Sequence, residues 1–209
     1  MNTSETVAKL LLELNAITLS PKKPFKYASG ILSPVYTDCR VLMAYPKQRI
    51  EIRDFYIEAI QQSGVSFDVV AGTATAGIPH AAWIADKLNL PMVYVRGKAK
   101  DHGKENLMEG IIKKGQKVIV IEDLISTGES AINSVNVIRA TGGEIADVFS
   151  IITYGFKQAE DNFKSNNLKL ISLTTFQEVV KQAQELSYIK RQDLQTILNW
   201  ASNPISWQP

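Results

Sequence analysis

Four short apolar runs, Asp68 to Ala71, Met92 to Arg96, Val118 to Ile121 and Val148 to Ile152, alternate with helical stretches around Ala81 to Leu88 and Ala131 to Ala140. Runs this short and this rich in valine and isoleucine suit strands buried on both faces, and the helices between them supply the crossovers that parallel strands require. The alternation predicts an α/β domain, a parallel sheet flanked by helices. Ahead of it, Val7, Leu10, Leu11 and Leu14 fall at i, i+3, i+4 and i+7, the stripe of an amphipathic helix ending near Asn15. Ile52, Phe55, Tyr56 and Ala59 mark a second helix after Pro46, and Phe176, Val179, Val180 and Ala183 a late one. Lys113-Lys114-Gly115-Gln116 lies between two strand-like runs, Leu107 to Ile112 and Gln116 to Ile121, which predicts a hairpin.

The 209 residues suffice for one well-buried domain, so one active site is sought. No apolar run approaches membrane-spanning length, and no basic stretch leading into an apolar run follows Met1, so neither a membrane anchor nor a secretory signal is expected. Cys39 is the only cysteine, which excludes an intramolecular disulfide framework and a multi-cysteine zinc site. A cytoplasmic location fits. A net charge of +2 gives no bulk attraction to nucleic acid, and anion binding has to come from locally arranged groups.

The segment from Val118 to Ser130 holds such an arrangement: four apolar residues, Glu122 and Asp123, Leu124 and Ile125, then Ser126-Thr127-Gly128-Glu129-Ser130 running into a helical pattern with Ala131, Val135 and Ile138. It reads strand, loop, helix. The carboxyl end of a strand is where open α/β sheets bind ligands, and the next helix offers unpaired amides and a favourable dipole to phosphate. A capped polar turn would account for Ser-Thr-Gly alone, but it leaves the acids unexplained. Carboxylates repel phosphate and accept hydrogen bonds from sugar hydroxyls, so a phosphorylated sugar satisfies both halves of the segment. Neither the Walker nor the dinucleotide glycine pattern occurs.

This segment resembles the phosphoribosyl pyrophosphate motif of type I phosphoribosyltransferases. The resemblance implies that fold, with Glu122 and Asp123 on the ribose hydroxyls and the 5′-phosphate in the Ser126 to Ser130 loop; the donor site as a whole takes in Glu122, Asp123, Leu124, Ile125, Ser126, Thr127, Gly128, Glu129 and Ser130. A second match is more selective. Tyr94-Val95-Arg96, followed by Lys98-Ala99-Lys100-Asp101-His102-Gly103, is a cationic run between glycines that would otherwise pass for a solvated hairpin. It resembles the catalytic lid of orotate phosphoribosyltransferases. That family's lid grips pyrophosphate in the neighbouring subunit of a dimer, which implies such a role for Arg96, Lys100 and His102 and a symmetric homodimer. Lys100, His102 and Asp123 are then the expected catalytic residues, with His102 as proton donor or charge partner.

Asp68 to His80 forms a strand, a small-residue loop and a helix start. It resembles the family's pyrophosphate loop, carried here by Thr73, Ala74, Thr75, Ala76 and Gly77, although a tight βα connection would look similar; His80 is expected to pack or cap. Phe25 to Asp38 resembles the N-terminal hood over the base, so the chain divides into a helix and hood (about 1–45), an α/β core (about 46–175) and C-terminal helices (about 176–209) of one domain (1–209). Departures from the family pattern fall at Ala28, Leu32, Gly97 and Glu129, and Glu129 places a negative charge near the expected phosphate, predicting reduced donor affinity. No arginine follows the Val148 to Ile152 strand to read the orotate carboxylate, which leaves Ser126, Tyr27 and Lys157 as orotate-binding candidates. The resemblance implies Mg²⁺-dependent transfer of phosphoribose to orotate, the metal held by substrate and water with no direct protein ligand. Orotate and phosphoribosyl pyrophosphate are the expected partners, with neither nucleic acid nor membrane. Two alternatives share the fold: a regulator that senses phosphoribosyl pyrophosphate, and transfer to another base.

Overall fold

The computed structural model describes residues 2–26, 30–97, 107–204 and 206–208. The first helix, α1 (Thr3–Glu13), is started by Asn2, whose side chain accepts the Glu5 amide, and Asn15 ends the segment with a positive φ of 53°. The hood follows as two small antiparallel pairs: β1 (Ile17–Leu19) with β4 (Val35–Thr37), and β2 (Phe25–Lys26) with β3 (Leu32–Ser33). A 3-10 turn over Cys39–Ala44 leads into α2 (Pro46–Ser63), where proline occupies the first helical turn, the position at which its missing N–H costs nothing.

The core is a six-stranded sheet made of β5 (Val69–Thr73), β6 (Met92–Val95), β7 (Met108–Glu109), β8 (Lys117–Ile125), β9 (Glu144–Thr153) and β10 (Leu170–Thr175). Its order is β10-β9-β8-β5-β6-β7, parallel throughout except for the β7 edge. Helices α3 (Gly77–Leu88), α4 (Glu129–Ala140) and α5 (Lys157–Ser165) make the crossovers, and α6 (Phe176–Glu185) and α7 (Leu194–Ser202) follow the last strand. Thr175 caps α6 by accepting the Glu178 amide.

Alternation along the central strands divides the apolar interior in two. Val70, Ile119 and Ile121 join the larger cluster with α1, α2 and α6, while Val69, Ala71, Val118 and Val120 face α4 and α5. Each such aliphatic side chain, withdrawn from water on both sheet faces, contributes about 1.5–3 kcal/mol.

One expectation is corrected. The turn at Lys113 to Gln116 forms, with Gly115 at φ +82° and the Gln116 amide donating to the Lys113 carbonyl, but the segments it joins do not pair as a hairpin. β7 pairs with β6 at the edge, and β8 enters the sheet centre between β5 and β9. The strand after the turn is apolar on both faces and gains more from a central slot than from an edge.

The sheet order also locates the site. From β5 the chain crosses to β6 on one side, and from β8 it crosses to β9 on the other, so the carboxyl ends of β5 and β8 border a topological switch point. Ligands of open α/β sheets bind in the crevice there.

Candidate active site

Glu122 and Asp123 lie near the end of β8, beside the mouth of that crevice. Glu122 is buried, and burial, followed by repulsion from Asp123, pushes its carboxyl well above the ordinary range; the Asp123 amide and the Thr73 hydroxyl act in the opposite direction. Burial also raises Asp123, partly countered by backbone amides. The Tyr56 hydroxyl on α2 donates to the Glu122 carbonyl and fixes the strand at this point. From the hood side, Asp38 and Arg40 form a two-pronged ion pair at 2.6 and 2.9 Å, near enough for both charges to act on Asp123.

Both neighbouring helices begin without a side-chain cap. α4 starts from Gly128 at φ +80° and α3 from Ala76, and no side chain among the described residues occupies their first-turn amides. These amides are the usual partners of a bound anion. Gly128 is required sterically as well, since a Cβ there would sit 2.9 Å from the Phe163 ring. In the other loop the Ala74–Thr75 peptide is cis, and a Cβ on Gly77 would collide with the Ile121 carbonyl.

Two cavities flank this centre. One, of about 220 Å³, brings Thr73 and Ala74 together with Arg96, Glu129 and Ser130. Arg96 is thus on the wall of its own chain's cavity, where its guanidinium meets Glu109 of β7 at 2.7 Å. The other, of about 570 Å³, is bordered by Ser126, Thr127, Tyr154, Lys157 and Trp200, with Ile31 of the hood. Ser126 and Lys157 therefore share one cavity. Lys157 is exposed and pairs with Asp161 at 2.9 Å, one helical turn on. Lys100, His102 and Tyr27 lie outside the described residues. His80 packs on α3 between the rings of Tyr56 and Trp83, and burial lowers it to about 4, so it is neutral near pH 7.

The stripe over residues 157–165 is only Ala159 and Phe163, and the sequence carries no signal for the groups that α5 sends to the phosphate loop. Asn162 donates to the Thr127 carbonyl at 2.9 Å and Gln158 to the Glu129 carboxylate at 3.0 Å. The Asp38–Arg40 pair was also missed; its only sequence signal is an acid and a base two residues apart after the hood.

Glu122 and Asp123 are two carboxylates in a crevice, and among the described residues no group of three or more His, Cys, Asp or Glu side chains converges on a metal position. This donor set fits an ion such as Mg²⁺ that keeps waters and substrate oxygens in its shell.

The comparisons with known proteins agree with this geometry. The family model for the phosphoribosyl transferase domain matches residues 42–187. An orotate phosphoribosyltransferase of Coxiella burnetii is 46% identical over 209 residues, all of both chains, and one of Listeria monocytogenes is 47% identical over 207 residues, 99% of each chain. Among solved structures, the orotate phosphoribosyltransferase of Aeropyrum pernix superposes with a TM-score of 0.76 at 29% identity, covering 88% of this chain and 99% of its own. An acid pair between two uncapped helix starts, on a type I phosphoribosyltransferase sheet whose relatives match it from end to end, leads to one conclusion: the chain belongs to the orotate phosphoribosyltransferase family.

Proposed function

We propose that the protein transfers phosphoribose from 5-phospho-α-D-ribose 1-diphosphate to orotate, giving orotidine 5′-phosphate and diphosphate in de novo pyrimidine synthesis, as a cytoplasmic homodimer that uses Mg²⁺. The observation that carries this reading is the acid pair of buried Glu122 and half-buried Asp123 between two uncapped helix starts that follow adjacent strands. Relatives alike over their whole length bear the same activity in their names.

In this reading the first amides of α4, with Ser126, Thr127 and Ser130, hold the 5′-phosphate. Glu122 and Asp123 accept hydrogen bonds from the ribose hydroxyls, and their charge lies close to the anomeric carbon, where it favours the oxocarbenium character that develops there. Desolvation makes ionising both carboxylates unfavourable, and the ribose hydroxyls offset that cost. Thr73 to Gly77 face the diphosphate, and Arg96, as part of the shared lid, exchanges Glu109 for the diphosphate in the partner subunit's site. Mg²⁺, when bound, neutralises charge on the diphosphate oxygens. The bond from the anomeric carbon to the diphosphate oxygen breaks, the diphosphate leaves with the electron pair, and a ring nitrogen of orotate forms the new bond, its proton passing to water. Lys100 balances the charge of the leaving group and His102 supplies a proton or a second charge, both reaching in from the partner subunit. Orotate occupies the cavity bordered by Ser126, with Lys157 and Tyr27 at its carboxylate and ring.

Following orotate absorbance tests the whole reading. Consumption is expected only with both the donor and Mg²⁺ present. Lys100→Ala and Asp123→Asn should each be nearly inactive, and co-expression should restore up to about a quarter of wild-type activity, because half the dimers are mixed and each mixed dimer holds one intact site. No recovery would refute the shared lid. Donor binding without turnover would favour the sensor, and donor-dependent consumption of a different base would reassign the acceptor.

A further inference from the structure

Three consecutive residues of the phosphate loop are each met by α5. The Asn162 amide donates to the Thr127 carbonyl at 2.9 Å. Behind Gly128, the Phe163 ring crowds the place of a side chain, with a Cβ falling 2.9 Å from it. Gln158 donates to the Glu129 carboxylate at 3.0 Å. Ala159 and Phe163 are buried against the α4 side of the sheet and anchor the helix that delivers these groups.

We propose that α5 is a splint for the phosphate loop, with Asn162 and Gln158 as positioning residues that set affinity for the phosphoribosyl donor. This rests on reading Ser126 to Ser130 as the 5′-phosphate cradle.

The case for Asn162 follows from peptide geometry. A trans peptide is planar, and its C=O and N–H point in opposite directions. Holding the Thr127 carbonyl toward α5 therefore turns the Gly128 N–H away from α5. Glycine at a positive φ has access to several backbone states, so a loop built on Gly128 is free to rotate this peptide unless something fixes the carbonyl. Asn162 fixes it.

The case for Gln158 is electrostatic. Glu129 is the first residue of α4 and borders the same cavity as Arg96. An unrestrained carboxylate there would repel a phosphate in the cradle and attract Arg96 across the cavity they share. The Gln158 amide gives this carboxylate a hydrogen bond from α5 and holds it from both. The expected penalty of Glu129 on donor affinity is thus held down by a residue 29 positions later in the chain.

Titration calorimetry with the donor and steady-state kinetics test the splint. Gln158→Ala should weaken donor binding about five-fold, and Asn162→Ala about ten-fold, the range for loss of one partner of a charged or buried hydrogen bond. The KM for orotate should hold in both. In a Glu129→Gln background, Gln158→Ala should change donor binding by less than about two-fold, because the two residues form one interacting pair. Lys164→Ala, an exposed change on the same helix, should have no effect. A Gln158→Ala loss of equal size with and without Glu129, or parallel changes in both KM values, would overturn the proposal. Ser130→Asp separates this from the reading beneath it, because an acid at a helix start is tolerated by the fold but repels phosphate. If Ser130→Asp leaves donor binding intact, the cradle assignment fails. If it abolishes binding while Gln158→Ala and Asn162→Ala change nothing, the cradle stands and the splint falls.

Discussion

The loop after β5 and the loop after β8 leave adjacent strands at the same edge of the sheet, and both open onto uncapped helices, yet they are held in different ways. In the first, from Thr73 to Gly77, small residues let backbone pack on backbone: a Cβ at Gly77 would strike the Ile121 carbonyl, and one at Gly72 would stand 2.9 Å from the Ile78 Cα. In the second, from Ser126 to Ser130, the outer surface is held by side chains of a neighbouring helix. A loop fixed by exclusion fails abruptly when volume is added. A loop fixed by side-chain hydrogen bonds loses affinity in steps.

The largest expected effect is on the first loop. Gly77→Val should cost at least about 4 kcal/mol, seen as a collapse of the urea midpoint or of soluble yield, because backbone cannot yield to a branched side chain. A stable, folded Gly77→Val protein would erase the distinction between the loops. Next comes His80, which lies in the helix that the first loop opens. Its ring is neutral in the native protein down to about pH 4, whereas the unfolded chain binds a proton near pH 6.5. Stability is thus fully present above that value and falls with pH across this window, by about 3 kcal/mol in all. His80→Leu should flatten that segment of the pH–stability curve, read from thermal melts; an unchanged slope would exclude His80 as its source.

The smallest stability effect, with the opposite sign, belongs to β8, the strand that leads into the second loop. Because burial and Asp123 raise the Glu122 carboxyl, the native state holds its proton more tightly than the unfolded chain does, and stability declines as pH rises from the ordinary carboxylate value toward the raised one. Glu122→Gln should therefore gain about 1 kcal/mol at pH 7 while activity drops sharply, the exchange expected where a buried charge is kept for function. A variant that is less stable and inactive would instead give Glu122 a structural role.

What could be read in the sequence follows the same division. Strands buried on both faces announce themselves as runs such as Val118 to Ile121, and a binding loop that directly follows such a run is legible with it. α5 is different. Of its nine residues only Ala159 and Phe163 are buried, so its stripe is two residues wide, and the amides of Gln158 and Asn162 look like any polar surface. Pairing failed at the Lys113 to Gln116 turn because a tight turn specifies a reversal of direction and says nothing of which strand becomes the neighbour. The sequence likewise shows an acid pair but not the burial of Glu122, whose backbone lies against Gly77 of α3 and accepts the Tyr56 hydroxyl of α2.

Tyr154 ties distant parts of this chain together. Its ring stands among Phe156, Phe176 and Trp200, its amide donates to the Ile125 carbonyl, and its hydroxyl donates to Thr37 in the hood at 2.8 Å. The hood is thus fastened to an aromatic nest that α7 helps to build. A shift of the last helix is thereby passed to the hood through the Tyr154 phenol, although some 160 residues of sequence separate Thr37 from Trp200.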